Sequence, residues 1–218
     1  YKAYSPIAVK GSLFDAPASV AGSGTSGSGS FDVTFGYTGP YTAAPHGLSA
    51  NAPTSDTISQ DPDQTYTPGD PVSPGVDKIP FVVSGSALLR WTLVIPGPDD
   101  IDLFLEDSSG TIIAASTNGG TDELIELVLP PDDTYTLVVH GWGITVPPLP
   151  YSADTWAVPL TPGGGSLAID SAPGAAVNGT TGTITASWGG LAPGSYLGAV
   201  SHTGDAGLLG LTLVNVDA

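Results

Sequence analysis

The sequence predicts an all-β protein, and three observations carry that prediction. Glycine and proline number 30 and 21 of 218 residues, a supply that suits many turns and that long helices do not tolerate. Hydrophobic residues still make up 40% of the chain, enough to build a buried core. They recur with a period of two, the spacing of a strand with one buried face.

The strands can be read in order. Phe31, Val33, Phe35 and Tyr37 share a face opposite Asp32 and Thr34. Leu89, Trp91, Leu93 and Ile95 share another, opposite Arg90 and Thr92. Ile101, Leu103 and Leu105 alternate with Asp100, Asp102 and Phe104, and Tyr135, Leu137 and Val139 alternate with Thr136, Val138 and His140. Ile184, Ala186 and Trp188 repeat the pattern, as do Tyr196, Gly198 and Val200; Leu209, Leu211, Leu213 and Val216 follow less regularly. Asp107-Ser108-Ser109-Gly110 reads as a hairpin turn, and Asn118-Gly119-Gly120 ends the second of its strands. Gly22 to Ser30 contains only Gly and Ser apart from Thr25, and reads as a mobile loop. No window of about a dozen residues keeps a 3.6-residue apolar period free of Gly and Pro, so helix is not expected.

Two polar, proline- or glycine-rich stretches, Ser49 to Asp77 and Thr161 to Gly165, divide the chain. They set off residues 1–60, 61–160 and 161–218 as three segments. The two flanks share a layout: an alternating strand, a Gly/Pro turn, then a strand carrying a histidine, His46 in one and His202 in the other. A duplication or two halves of one sandwich would each explain it.

Only 11% of residues are charged, and 21 acids against four bases give a formal charge of -17. Such a surface repels phosphates and anionic lipid headgroups, which argues against nucleic acid and membrane partners. The carboxylates serve solubility, calcium binding, or both. No cysteine or methionine is present, so disulfides and thiolate metal sites are excluded. No apolar run approaches the roughly 20 residues of a membrane helix, and Tyr1-Lys2-Ala3-Tyr4 does not open a signal peptide. The chain reads as a piece of a longer secreted, extracellular protein.

Catalytic chemistry is not expected. His46, His140 and His202 are isolated in sequence, with neither a G-x-S-x-G elbow nor H-x-x-x-H spacing nearby. Of the neighbouring carboxylates Asp99, Asp100 and Asp102, only Asp100 and Asp102 share a strand face. For calcium, the alternating Asp61 and Asp63, with Asp77 at the start of the next strand, offer oxygen ligands. Trp91 and Trp188 fall on core faces. Trp142, before the Pro147-Pro148-Leu149-Pro150 loop, is the best exposed aromatic. With Tyr151 and Trp156 it makes up the candidate binding set.

The central block resembles a bacterial pre-peptidase C-terminal domain. The likeness lies in Asp100-Ile-Asp-Leu-Phe-Leu, the Asp107 to Ser116 hairpin, Thr117 to Glu123, and Asp133-Thr-Tyr-Thr-Leu-Val-Val-His-Gly141. Ser5 to Lys10, Ser30 to Leu48, and Ser187 to His202 resemble the C-terminal region of subtilisin-like serine proteases of the S8 family. The resemblance implies a jelly-roll-like β-sandwich flanked by fibronectin-III- or Ig-like strands, with Ser5 to Lys10 ending a fibronectin-III-like domain. It also implies a partner, the protease catalytic domain upstream. Related domains in clostridial collagenases bind collagen and take calcium through acids before the first strand, a place comparable to Asp61, Asp63 and Asp77. The expected role is a non-catalytic accessory module that binds insoluble protein substrate, steadies the enzyme or is trimmed in maturation. A ligand-free spacer and a carbohydrate-binding module are the alternatives.

Overall fold

The computed structural model describes residues 13–95, 97–120, 122–163 and 165–218. The Ser5 to Lys10 stretch assigned to a preceding domain therefore lies outside the described residues. Those residues form seventeen strands and no helix, as the two-residue periodicity requires. The protein is all-β, with sheets that are antiparallel except for one parallel edge pair, stacked as sandwiches.

The chain enters through β1 (Phe14–Asp15), β2 (Ser19–Ser23), β3 (Gly27–Phe35) and β4 (Gly39–Ala50). It continues through β5 (Thr54–Ile58), β6 (Val76–Val83), β7 (Ser86–Val94), β8 (Asp100–Glu106), β9 (Ile112–Ser116), β10 (Asp122–Val128), β11 (Asp133–Gly143) and β12 (Leu149–Pro159). It closes with β13 (Leu167–Ser171), β14 (Ala175–Ala176), β15 (Thr181–Trp188), β16 (Ser195–Gly204) and β17 (Gly207–Asp217).

Strands β5 to β12 make a self-contained sandwich of two sheets, ordered β10-β7-β12-β5 and β6-β11-β8-β9. The alternating residues meet between them: Leu89, Trp91 and Leu93 from one sheet, and Leu103, Leu105, Leu137 and Val139 from the other, are all buried. Each such Leu contributes roughly 1.5–3 kcal/mol relative to exposure. Strand β5 lies inside the expected 1–60 segment, yet pairs with β12, Ile58 opposite Leu149.

The flanks build the second sandwich jointly. Its sheets run β1-β3-β15-β13 and β14-β4-β16-β17-β2, so each contains strands from both ends of the chain. Phe31 on β3 faces Ile184 on β15, and Ala199 on β16 pairs with His46 on β4. The likeness between the flanks is thus that of two halves of one sandwich. The Gly22 to Ser30 run, expected as a mobile loop, lies largely in β2 and β3. The Trp188 ring lies against Gly22 and Gly27, where an added Cβ at Gly27 would come within 2.6 Å of the ring. Its indole N–H donates to the Gly24 carbonyl at 3.1 Å. Glycine serves here to admit a large ring, a use of strand glycine that composition alone does not reveal.

The sandwiches join through Leu88, Trp156 and Val158 of one and Leu197, Ala199 and Leu213 of the other. Arg90 donates to the Asn215 side chain at 3.0 Å, and the Ser49 hydroxyl donates to the Ala157 carbonyl at 2.6 Å.

Candidate functional site

The segment between β5 and β6 folds back over the outer face of the β6-β11-β8-β9 sheet. Three backbone bonds hold it. Ser59 N–H donates to Pro74 O at 2.7 Å, Asp61 N–H to Gly141 O at 2.8 Å, and Gly141 N–H to Gly75 O at 3.0 Å. Any Cβ at residue 141 would strike the Ser59 carbonyl, so only glycine permits this approach. Tyr66 then plugs the sheet, packed with Val76, Val138 and Phe104. Its hydroxyl donates to Glu106 at 2.5 Å, and Lys78 pairs with the other Glu106 oxygen at 3.4 Å.

His140 sits beneath this segment, wholly buried. Its Nε2 lies 2.9 Å from Asp61 Oδ2 and its Nδ1 3.4 Å from Asp102 Oδ2. Ionised carboxylates only accept, so both bonds are made together by the doubly protonated ring. Burial alone would lower the His140 pKa; hydrogen bonds and charge from Asp102 and Asp61 outweigh it and raise the pKa above the ordinary value. With both nitrogens engaged, the ring has no lone pair left for a metal.

Asp61 and Asp63, two of the expected calcium ligands, face one cleft of about 140 Å³, shared with Asp70, Thr65 and Ser73. Much of their capacity is already used. Asp61 holds His140, Asp63 accepts the Thr65 N–H at 3.1 Å, and Asp70 accepts the Thr67 N–H at 2.7 Å. Asp77 stands apart on β6, where it accepts its neighbour's N–H from Lys78 at 2.7 Å and the Tyr151 hydroxyl. Calcium takes about 6–8 oxygens around one point. Asp61, Asp63 and Asp77 do not converge as a single donor set, and among the described residues no three acid or histidine side chains are drawn in to metal-holding spacing.

Of the candidate aromatics, Trp142 alone faces solvent, at 44% exposure. Its backbone is fixed: the carbonyl accepts from both Gln60 Nε2 at 2.6 Å and Gln64 Nε2 at 2.8 Å. Gln60 in turn accepts the Ile144 N–H at 2.7 Å. Tyr151, expected at a binding surface, is buried between the sheets. Burial first, then its hydrogen bond to the Asp77 carboxylate, pushes its pKa up. Trp156 is buried in the junction between sandwiches, its indole N–H facing the Ser195 carbonyl at 3.5 Å.

The other histidines have structural partners. His46 Nδ1 donates to the Pro159 carbonyl at 2.9 Å, across the junction. His202 lies in a chain of defined direction. Thr212 donates its hydroxyl to Pro17 O at 2.8 Å, so it accepts from His202 Nε2–H at 2.9 Å. Nδ1 then accepts from the Tyr41 hydroxyl at 2.7 Å. This fixes a neutral ring, and burial lowers its pKa from 6.5 to about 4.

Glu123 on β10 is 2% exposed, its Oε1 accepts the Asn118 N–H at 3.2 Å, and burial raises its pKa. Compared with known proteins, the chain matches no family model and no curated protein.

Proposed function

We propose that this chain is a non-catalytic module of a secreted subtilisin-like serine protease, and that it presents Trp142 to insoluble protein substrate. The observation that supports this most is Trp142 itself. A large aromatic side chain stands 44% exposed on a backbone held by two glutamine side chains. A rigid, amphipathic ring presented in this way loses little conformational entropy when it stacks on a partner. The partners of His46, His140 and His202 are a carbonyl, two carboxylates, and a Tyr–Thr pair. None is a serine, which favours an accessory role. The likeness to pre-peptidase C-terminal domains supplies the protease context and remains the ground for it.

The test is retention of the purified chain on insoluble collagen, keratin, casein and chitin. Binding to a protein polymer that falls at least about tenfold in Trp142→Ala, the loss of roughly 1.4 kcal/mol, supports the reading. Retention on chitin alone supports the carbohydrate-binding alternative, since sugars also stack on exposed tryptophan. A chain retained by none of the four is a spacer, and the proposal fails.

A further inference from the structure

A groove of about 240 Å³ is lined from both sandwiches where they join. The strand registers explain its floor. Ala199 of β16 pairs with His46 of β4 and with Leu213 of β17, and two residues further on Ser201 pairs with Leu211. Ala199 and Leu213 belong to the junction, so His46, Ser201 and Leu211 continue the same sheet face beyond it. From the other side come Leu129 and Leu160, whose N–H groups donate to Ala87 O at 2.9 Å and Gly85 O at 2.6 Å. Leu129 is held at a φ of 49°, in the left-handed region that leucine rarely adopts. Junctions between domains are favoured places for ligand sites.

The side chains of the groove are apolar apart from His46 and Ser201. Leu129, Leu160 and Leu208 line it with nearly half of their surface exposed, whereas His46 is only 4% exposed. The Pro159 carbonyl can only accept, so Nδ1 carries the proton of that bond and Nε2 of the neutral ring is an acceptor. That Nε2 is shut off from solvent and has no hydrogen-bond partner among the described residues. The Ser201 hydroxyl donates to Ala44 O at 3.4 Å and so keeps only lone pairs to offer. A buried acceptor without a donor is costly, and a ligand that brings the donor recovers that cost.

We propose that this groove binds a small neutral phenol, its ring between the exposed leucines and its hydroxyl donating to His46 Nε2. Each part of the ligand answers a feature of the wall. Acceptors without a free donor call for a hydroxyl, and a phenolic hydroxyl, with a pKa of about 10, is a stronger donor than an alcohol. The chain's charge of -17 disfavours an anion. An ammonium group would exchange water for apolar walls and neutral acceptors, which do not repay its desolvation. An apolar cavity of roughly 150 Å³ takes benzene, so about 240 Å³ suits one substituted ring. The hydroxyl reaches Nε2 as the exposed leucines change rotamer, a fast motion for such side chains. The inference does not depend on the reading of Trp142.

Titration of the full chain with p-cresol and with toluene, followed by proton–nitrogen NMR spectra, tests it. Saturable p-cresol shifts are expected at Leu129, Leu160, Leu208 and the His46 ring. Toluene lacks the hydroxyl and is expected to bind at least about tenfold more weakly. In His46→Asn the side-chain amide can still donate to the Pro159 carbonyl, but the Nε2 acceptor is gone. There p-cresol is expected to bind no tighter than toluene. Leu208→Asp, a change at an exposed position, serves should the first variant fail to fold, and is expected to weaken p-cresol binding at least about tenfold. Three outcomes overturn the proposal. One is the absence of saturable p-cresol binding. Another is equal affinity for the two ligands in the parent. The third is a preference for p-cresol that persists in His46→Asn, or p-cresol binding untouched by Leu208→Asp.

Discussion

His140 and His202 show how opposite environments give one residue type opposite titrations. His202 is neutral in the fold and its pKa is lowered to about 4 by burial, whereas the unfolded ring takes a proton near 6.5. Between those values the unfolded state binds the extra proton, so stability falls as pH drops from 6.5 towards 4, by on the order of 3 kcal/mol for the full shift. His140 runs the other way. Its raised pKa contributes stability that is complete below 6.5 and is lost as pH rises through the folded value. Denaturant unfolding across pH 4–9 should therefore show His202→Gln less stable than the parent at pH 8 yet flatter on the acid side. His140→Gln should be flatter on the alkaline side. Equal acid slopes for the parent and His202→Gln would refute the neutral assignment. At this scale the sequence was partly legible. Alternation assigned Trp91 and Trp188 to cores, and the Gly/Pro context of Trp142 marked it as exposed. Tyr151 was not legible, because its partner Asp77 lies on another strand 74 residues away.

At the scale of elements, period-two alternation located β3, β7, β8, β11 and β15 because each has one face on a core and one away from it. The Asp107 to Gly110 turn was legible for a local reason. Asp107 accepts the Ser109 N–H at 2.9 Å and Gly110 has a φ of 79°, so the turn is made by its own residues. The Gly/Ser run was misread because the Trp188 ring that explains it comes from β15. That ring predicts a sharp contrast within nine residues. Gly27→Ala should cost about 1–3 kcal/mol by forcing the ring away. Gly29→Ala, with no atom within 4 Å of its added Cβ, should lie within about 0.5 kcal/mol of the parent. Equal effects on the denaturation midpoint would show that Trp188 does not set the requirement.

For the whole molecule, the consequence of the topology is that the central sandwich is an insertion within the flanking one. Both sheets of the flanking sandwich draw strands from the two ends of the chain. Its halves meet across the residues between β4 and β13, and the ordered central sandwich holds the two entry points close. Trp156 is the largest side chain in the junction with Leu88, Val158, Leu197, Ala199 and Leu213. Trp156→Ala should lower stability by about 3–5 kcal/mol and split a single calorimetric transition into two, as each sandwich unfolds for itself. One undivided transition at the parent midpoint would assign cooperativity elsewhere.

The sequence by itself determined the class: strand periodicity, turn residues and the absence of any helical period leave an all-β chain. These are local signals, written in residues two to four apart. Its acidity and its lack of cysteine were equally plain. Only the tertiary structure decided which strands share a sheet, that the flanks close into one sandwich, and why a glycine run belongs in strands. It also decided that Asp77 stands apart from the cleft that Asp61 and Asp63 share. Each of these depends on contacts between residues distant in the chain, and hydrophobic burial, being non-directional, leaves no mark of its partner in the sequence.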